Sequence, residues 1–353
     1  MRAINKILII RFSSIGDIVL ASLLIRALRN AYPDALIDFL VKSEYAELVR
    51  YNPYLSSIIE LTTSNTDERT RLKRRIRSER YDLIVDIHNS LRSGYLRMFS
   101  GAKRITVINK RIIPRFALVK FKKNIYKDIV PVAERYLETV SKFDVQNDGK
   151  GLELFIPEDT TSAVGAIIQK YNLDRYEVVY GFAPTAKHFT KRWPQERFVE
   201  LGIRIAKNFR AKIFIFGGKE ETDYCGDIAQ MINAELGSST AESMAGKLSL
   251  LETAVALDYC SVVVSNDTGI MHIAAARKRN LVAIFGSTVR EFGFFPYGTN
   301  NVVVEQEGLD CRPCSHIGRN SCPKGHFKCM KDISTDTVLA AIGEVYGHPS
   351  EHS

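Results

Sequence analysis

The chain has 353 residues, 45% of them hydrophobic and 25% charged, with a formal net charge of +9. That length suits two domains of ordinary size, and the composition is that of a soluble globular protein rather than a disordered one. No apolar run approaches a membrane span and no signal-peptide pattern opens the chain, so the expected compartment is the cytoplasm and the six cysteines read as reduced thiols or metal ligands before disulfides.

The charge is uneven. Residues 1–150 hold 28 Lys and Arg against 16 Asp and Glu, and residues 151–353 hold 21 against 24. The basic half favours an anionic partner: nucleic acid, an anionic membrane face or a phosphorylated substrate. For any single charge run, a solvated surface is the plainer explanation.

In chain order, NKILIIRF reads as a short apolar strand. SSIGD follows, and then the helix pattern IVLASLLIRALRNAY. IDFLV, YDLIVDIH (ending at His88) and KRITVIN read as further strands with helices between them. This alternation predicts a parallel sheet covered on both faces. Around residues 144–160 the run DVQNDGKGLELFIPEDTT collects Gly, Asp, Asn and Pro, as an interdomain linker does. Alternation then resumes. YEVVYGFAP, AKIFIFGG, CSVVVS and LVAIFGS read as strands. PQERFVELGIRIAKNF, KEETDYCGDIAQMINA, LSLLETAVALDY and TGIMHIAAAR read as helices, and DISTDTVLAAIGEVYG as a closing helix. The expected division is residues 1–155, residues 156–332, and a helix with a tail at 333–353. In doubly wound sheets, ligands bind outside the carboxyl ends of strands, so four loops carry the functional reading. No GxGxxG and no GxxxxGK[ST] follows a strand, which leaves a dinucleotide cofactor and a P-loop unsupported.

The first loop is Ser13 to Asp17. Its small residues and Gly16 suit a sharp turn into a helix. Asp17 falls in the first helical turn, where the helix dipole stabilises a carboxylate, and it also suits a general base. The loop after VVYGF, APTAKHFTKRWP, offers the Thr185 hydroxyl and the cations Lys187, Lys191 and Arg192, which suit a diphosphate. Trp193, the one tryptophan, reads as packing. In GGKEE, Gly217 and Gly218 permit close backbone approach. Glu220 or Glu221 either starts a helix or binds ribose hydroxyls.

The fourth loop, Asn266-Asp267-Thr268-Gly269, contains Asp-Thr-Gly, the triplet that holds a catalytic carboxylate in aspartic proteases. That chemistry needs a second such triplet to share a proton, and the chain has one. Here the triplet opens a helix, whose free amides form an anion site. His272, one helical turn beyond Thr268, faces the same side. Each residue alone reads as a cap or a core histidine. Together, at a strand end, they favour a site.

These motifs resemble the ADP-heptose:lipopolysaccharide heptosyltransferases of glycosyltransferase family 9. The resemblance runs from ILIIRFSSIGDIVLASLLIRALR through YDLIVDIHNSLRS and KRWPQERF to VVVSNDTGIMHIAAA. It implies an α/β, GT-B fold with two doubly wound Rossmann-like domains facing a central cleft. It implies an inverting enzyme that moves heptose from ADP-heptose to the lipopolysaccharide inner core. Asp17 would be the general base, with Ser13, Ser14 and Gly16 in the acceptor loop. Thr185 and Lys191 would face the diphosphate, and Glu220 (or Glu221) the ribose. Leu248 would pack near the adenine, and Asp267, Thr268, Gly269 and His272 would hold the heptose and phosphates. The loop from Thr185 to Lys191 looks longer than in familiar members, which bears on Thr185. Implied partners are ADP-heptose or a related nucleotide sugar, and a lipid-linked, phosphorylated core acceptor. An anionic membrane surface is the third, with a peripheral position on the inner face of the inner membrane.

The residues add to this. There is no Asp-x-Asp motif, so no catalytic metal is expected. Residues 101–127 contain nine Lys or Arg and no acid, which suits an anionic leaflet, and RTRLKRRIR (Arg69 to Arg77) adds to that surface. Cys311, Cys314, Cys322 and Cys329 follow a C-x2-C-x7-C-x6-C spacing, with His316 and His326 between them. That spacing suits a structural zinc or iron, or else a reduced packed loop. Cys225 and Cys260 read as buried packing residues. One alternative is a family member using another nucleotide sugar or acceptor. A different class is a basic nucleic-acid-binding protein with a cysteine–metal module. It is disfavoured because the basic half and the cysteines lie apart and no nucleic-acid motif is present.

Overall fold

The computed structural model describes residues 4–63 and 66–347. Within them the chain forms two compact units. The first holds the chain up to Ile112 together with Val130–Phe155, and the second holds Ile113–Ile129 together with the chain from Ile156 onward. Two differences from the expected division follow. Residues 113–129 belong with the second unit, and so does the closing helix, Thr335–Tyr346, whose Val338, Ala341, Ile342 and Val345 join that unit's core.

The first unit carries strands β1 (Lys6–Ile10), β2 (Leu36–Lys42), β3 (Ser57–Leu61), β4 (Leu83–Asp86) and β5 (Arg104–Val107). They pair in parallel in the order β3-β2-β1-β4-β5, with Ile9 opposite both Phe39 and Val85. Strands buried on both faces need apolar side chains on both faces. Ile7, Leu8, Ile9 and Ile10 are accordingly all fully buried. The expected linker proves to be packed as far as Leu154. Leu152 and Leu154 are buried, and Arg26, from the helix Ser22–Ala31, pairs with Asp148 at 2.6 Å and Glu153 at 2.9 Å.

The second unit carries β6 (Val178–Ala183), β7 (Ala211–Ile215), β8 (Ala241–Ser243), β9 (Val262–Asn266), β10 (Asn280–Phe285) and β11 (Asn301–Glu305). All are parallel, in the order β11-β10-β9-β6-β7-β8. Trp193 is fully buried, packs edge-on against Phe198 at 5.0 Å and donates its indole N–H to the Ile333 carbonyl at 3.0 Å. Packing is thus its role, as the sequence suggested. Cys225 and Cys260 are buried as well, and burial pushes the Cys225 thiol up to about 12. Among the described residues no helix is long and apolar enough to cross a membrane.

Candidate functional site

Each sheet order reverses direction at one place, between β1 and β4 in the first unit and between β6 and β9 in the second. The loops leaving those strands diverge to opposite faces and open a crevice at their carboxyl ends. The loops singled out by sequence leave β1, β6, β7 and β9, so three of the four lie at a reversal point.

In the first unit, Ser14 caps the helix Ile15–Leu20. Its backbone N–H and its hydroxyl both donate to Asp17 Oδ2, at 3.2 and 2.8 Å. Arg11, immediately after β1, holds three acceptors at once. Its Nε donates to the Ser13 carbonyl and its Nη1 to the Ile87 carbonyl, both at 2.7 Å, and its Nη2 pairs with Asp17 at 2.6 Å. The Tyr136 hydroxyl donates to the other carboxylate oxygen at 3.1 Å. Burial alone would raise the Asp17 carboxyl, but the charge of Arg11 and the bonds from Ser14 outweigh it and hold it below its ordinary value. Asp17 is therefore the capping carboxylate of this helix and is held ionised in a fixed position. Gly16 does not make the turn. It is buried inside the helix and is absent from the positive-φ glycines, and the turn falls at Ser13 and Ser14.

Three neighbours of Asp17 were not foreseen: Arg11, Tyr136 and His88. The His88 ring packs 4.7 Å from the Phe12 ring, and burial, then the charge of Arg11, pushes it down to about 4. His88 is thus neutral at physiological pH. A signal existed for two of the three, since Arg11 and His88 are polar residues placed just past apolar strands. Tyr136 is 119 residues from Asp17 and carries no local signal. Replacing Arg11 with Met leaves the burial of Asp17 in place and removes the largest effect opposing it. The Asp17 carboxyl is therefore expected to titrate at higher pH than in the wild type, as followed by NMR of its carboxyl carbon. An Asp17 titration in the variant superimposable on the wild type would refute this role for Arg11.

In the second unit, Asp267 is buried at the end of β9 and pairs with Lys191 at 2.7 Å, while Thr288 donates to the same carboxylate oxygen at 2.8 Å. Thr268 is the N-cap residue of the helix Gly269–Ala276, which places the free amides of Gly269 and its successors beside this pair. Asn266, fully buried, accepts from the Trp193 N–H at 3.1 Å and donates to the Pro184 carbonyl at 2.7 Å. One side chain thus ties the loop after β6 to the loop after β9 and brings Lys191 to Asp267. His272 is buried one turn into the helix, its ring 6.5 Å from Phe294. An ammonium whose charge is largely balanced, with helix amides beside it, can take a diphosphate oxygen without a divalent ion.

The remaining residues sort themselves. The Thr185 hydroxyl is buried and donates to Glu221 at 2.9 Å, and Glu221 also accepts the Gly218 N–H at 2.7 Å. Glu221 is therefore committed to bracing the loop, whereas Glu220 is exposed and its side chain makes no bond among the described residues. Of the two carboxylates left open by sequence, Glu220 is the one available to a ligand. Gly217 is required sterically, since a Cβ there would lie 2.8 Å from Cys225 Sγ. Leu248 is half-buried just before Ser249, the cap of the helix Leu250–Asp258. Lys187 is exposed, and Arg192 is drawn inward to the Ala186 carbonyl at 2.6 Å.

Residues 69–324 match the model of glycosyltransferase family 9 (heptosyltransferase). The chain belongs to glycosyltransferase family 9. It is 27% identical over 300 residues to lipopolysaccharide heptosyltransferase 2 of Salmonella typhimurium, covering 81% of this chain and 84% of that protein. Among solved structures it resembles the glycosyl transferase family 9 protein of Veillonella parvula, with TM-score 0.81, 20% identity and 98% of each chain covered. It also resembles the ADP-heptose lps heptosyltransferase II of E. coli, with TM-score 0.73, 23% identity, and 99% of this chain and 100% of that one covered. The fold is thus the two-domain GT-B type. The family match takes in the loops of Lys191 and Asp267 but begins after Asp17, which stands on its own geometry.

In this family 9 chain the four clustered cysteines line one cavity of about 20 Å³, enough for one water-sized occupant, together with His326 and Phe327. Cys311 Sγ lies 3.8 Å from His326 Nε2, and burial pushes the Cys329 thiol up to about 12. As they stand, no three His, Cys, Asp or Glu side chains among the described residues form a ligating group.

Proposed function

We propose that the chain is an inverting glycosyltransferase that moves heptose from ADP-heptose to the inner core of lipopolysaccharide. One observation carries this reading: the half-buried Lys191 paired with the buried Asp267 beside the free amides of the helix Gly269–Ala276, at the reversal of the second sheet. It is supported by family membership and by relatives whose names state heptose transfer.

In the proposed reaction, an acceptor hydroxyl loses its proton to Asp17, and its oxygen forms a bond to the anomeric carbon of the donor. The bond from that carbon to the diphosphate breaks, and ADP leaves with the electron pair. Lys191 and the helix amides meet the charge that develops on the leaving diphosphate, where a fixed positive environment lowers the barrier most. Glu220 takes the ribose hydroxyls and Leu248 packs near the adenine. Asp267, Thr268, Gly269 and His272 hold the sugar and phosphates, with Ser13, Ser14 and Gly16 shaping the acceptor side. Thr185 acts through Glu221, as a brace for the loop that presents Glu220.

The test is a thermal-shift panel with ADP, UDP, GDP and CMP, followed by transfer from ADP-heptose to a core acceptor. A nucleotide at about 100 times its Kd stabilises by about 2.7 kcal/mol, which raises Tm by several degrees. Selective stabilisation by ADP is expected. A preference for UDP or GDP would overturn the donor and leave the chemistry.

The acceptor is proposed to be lipid-linked and phosphorylated, presented at an anionic inner-membrane surface where the enzyme works peripherally from the cytoplasm. A structural zinc or iron is proposed for the cysteine cavity. Binding would draw the thiols together from their present spacing, and metal analysis of the purified protein is expected to return about one ion per chain for a closed four-thiolate site. A metal-free, fully folded protein would remove that proposal.

A further inference from the structure

Residues 112–129 read IIPRFALVKFKKNIYKDI. Six of the seventeen large hydrophobic side chains exposed among the described residues fall in these eighteen positions: Ile112, Ile113, Phe116, Phe121, Ile125 and Ile129. Ile113 is 75% exposed and Phe121 67%. In the helix Ile112–Phe121 only Leu118 is buried. At helical spacing, Ile112, Ile113 and Phe116 share a face turned away from Leu118. The Phe121 ring meets the Phe116 ring at 5.7 Å, so the patch is continuous across the last turn. An apolar patch of this kind on a water-soluble chain marks a surface that docks something.

The charges around it say what. Lys120, Lys123 and Lys127 are exposed, Arg115 is half-buried, and all four take part in no ion pair among the described residues. Lys122 has another task. Its ammonium donates to the carbonyls of Val119, Cys311 and Pro313, and Asn124 donates to Glu291 at 2.8 Å. The backbone of the segment is thereby pinned, while its apolar side chains and free cations stay outside. Apolar side chains interleaved with unpaired cations match the boundary between anionic headgroups and acyl chains. A nucleic-acid backbone would use the cations and leave Ile113, Phe116 and Phe121 without a role.

We propose that residues 112–129 are the membrane-docking element of this protein, lying in the headgroup layer of an anionic bilayer. Phe116 and Phe121 enter the acyl boundary, and Lys120, Lys123 and Lys127 meet lipid phosphates. This deepens the membrane part of the proposed function, yet it does not depend on the identity of the donor or the sugar.

The experiment is co-sedimentation of the full chain with vesicles of phosphatidylcholine alone and of phosphatidylcholine with phosphatidylglycerol. Three proteins are compared: the wild type, the variant Ile113→Ser/Phe116→Ser/Phe121→Ser, and the variant Lys120→Gln/Lys123→Gln/Lys127→Gln. These side chains are on the surface, so equal Tm values and equal stabilisation by ADP are expected and show that the fold is intact. The wild type is expected to prefer the anionic vesicles, and each variant to bind them at least about tenfold more weakly. Transfer to a soluble acceptor lacking acyl chains reports the enzymatic reading separately and is expected to be equal in all three. Unchanged vesicle binding by either variant, equal binding of the wild type to both vesicle types, or no binding at all overturns the proposal. So does tighter binding to duplex DNA than to the anionic vesicles.

Discussion

Replacing Asp17 with Asn is expected to slow heptose transfer by about 10²–10⁴-fold, the usual contribution of a positioned general base. Binding of ADP is expected to be unchanged, because the residues proposed to hold the donor lie in the other unit. The substitution tests chemistry rather than folding. Asn keeps the size of the side chain and an oxygen on the side of the Ser14 hydroxyl, its amide nitrogen can donate to the Tyr136 hydroxyl oxygen, and Arg11 keeps the Ser13 and Ile87 carbonyls. What it removes is the proton-accepting charge. A carboxylate held below its ordinary pKa is a weak base in equilibrium terms, but it is ionised in every molecule at neutral pH. In the proposed reaction it takes the proton as the new carbon–oxygen bond forms. Wild-type kcat in the Asn variant would remove Asp17 as the base and direct attention to His88. That ring is neutral at physiological pH and sits in the same crevice.

The second large effect is expected at Lys191. Replacing it with Met leaves Asp267 buried with only the Thr288 hydroxyl. A buried charge stripped of its partner costs about 3–5 kcal/mol, and the lost contact to the leaving group costs about 10²–10³-fold in rate. These two losses separate in the double variant Lys191→Met/Asp267→Asn. Neutralising the carboxylate is expected to restore most of the stability in urea unfolding, while transfer stays low. If the double variant recovers transfer along with stability, Lys191 serves the fold and the diphosphate is met by the helix amides alone.

The sequence revealed the central strands better than the edges. β1, β2, β4, β6, β7, β9 and β10 are flanked on both sides and largely buried on both faces, so each reads as a mainly apolar run, interrupted in β2 by Asp38 and in β7 by Lys212. The three strands not anticipated, β3, β8 and β11, are all sheet edges. Only two of five residues in β3 are buried, and one in each of β8 and β11, which leaves short or mixed patterns. At the site, the residues legible in advance were those whose meaning is local: Asp17 at a helix start, Asp267 and Thr268 before a helix, cations at a strand end. Arg11, Tyr136, Asn266 and Thr288 acquire their meaning from partners 6 to 119 residues away. Gly16 shows the opposite error, because a glycine near a turn need not be the residue that makes it.

The path of the chain between its two units has a practical consequence for chimaeras. The polypeptide passes from the first unit to the second at Ile113, returns at Val130 and leaves again at Ile156. A single breakpoint near residue 155 would therefore graft residues 113–129 onto a foreign partner. It would part Lys122 from the Cys311 and Pro313 carbonyls and Asn124 from Glu291. An exchange of the second unit alone has to move two stretches together. A fragment ending at residue 155 would carry the exposed apolar segment without the surface that anchors it, and its expected fate is aggregation.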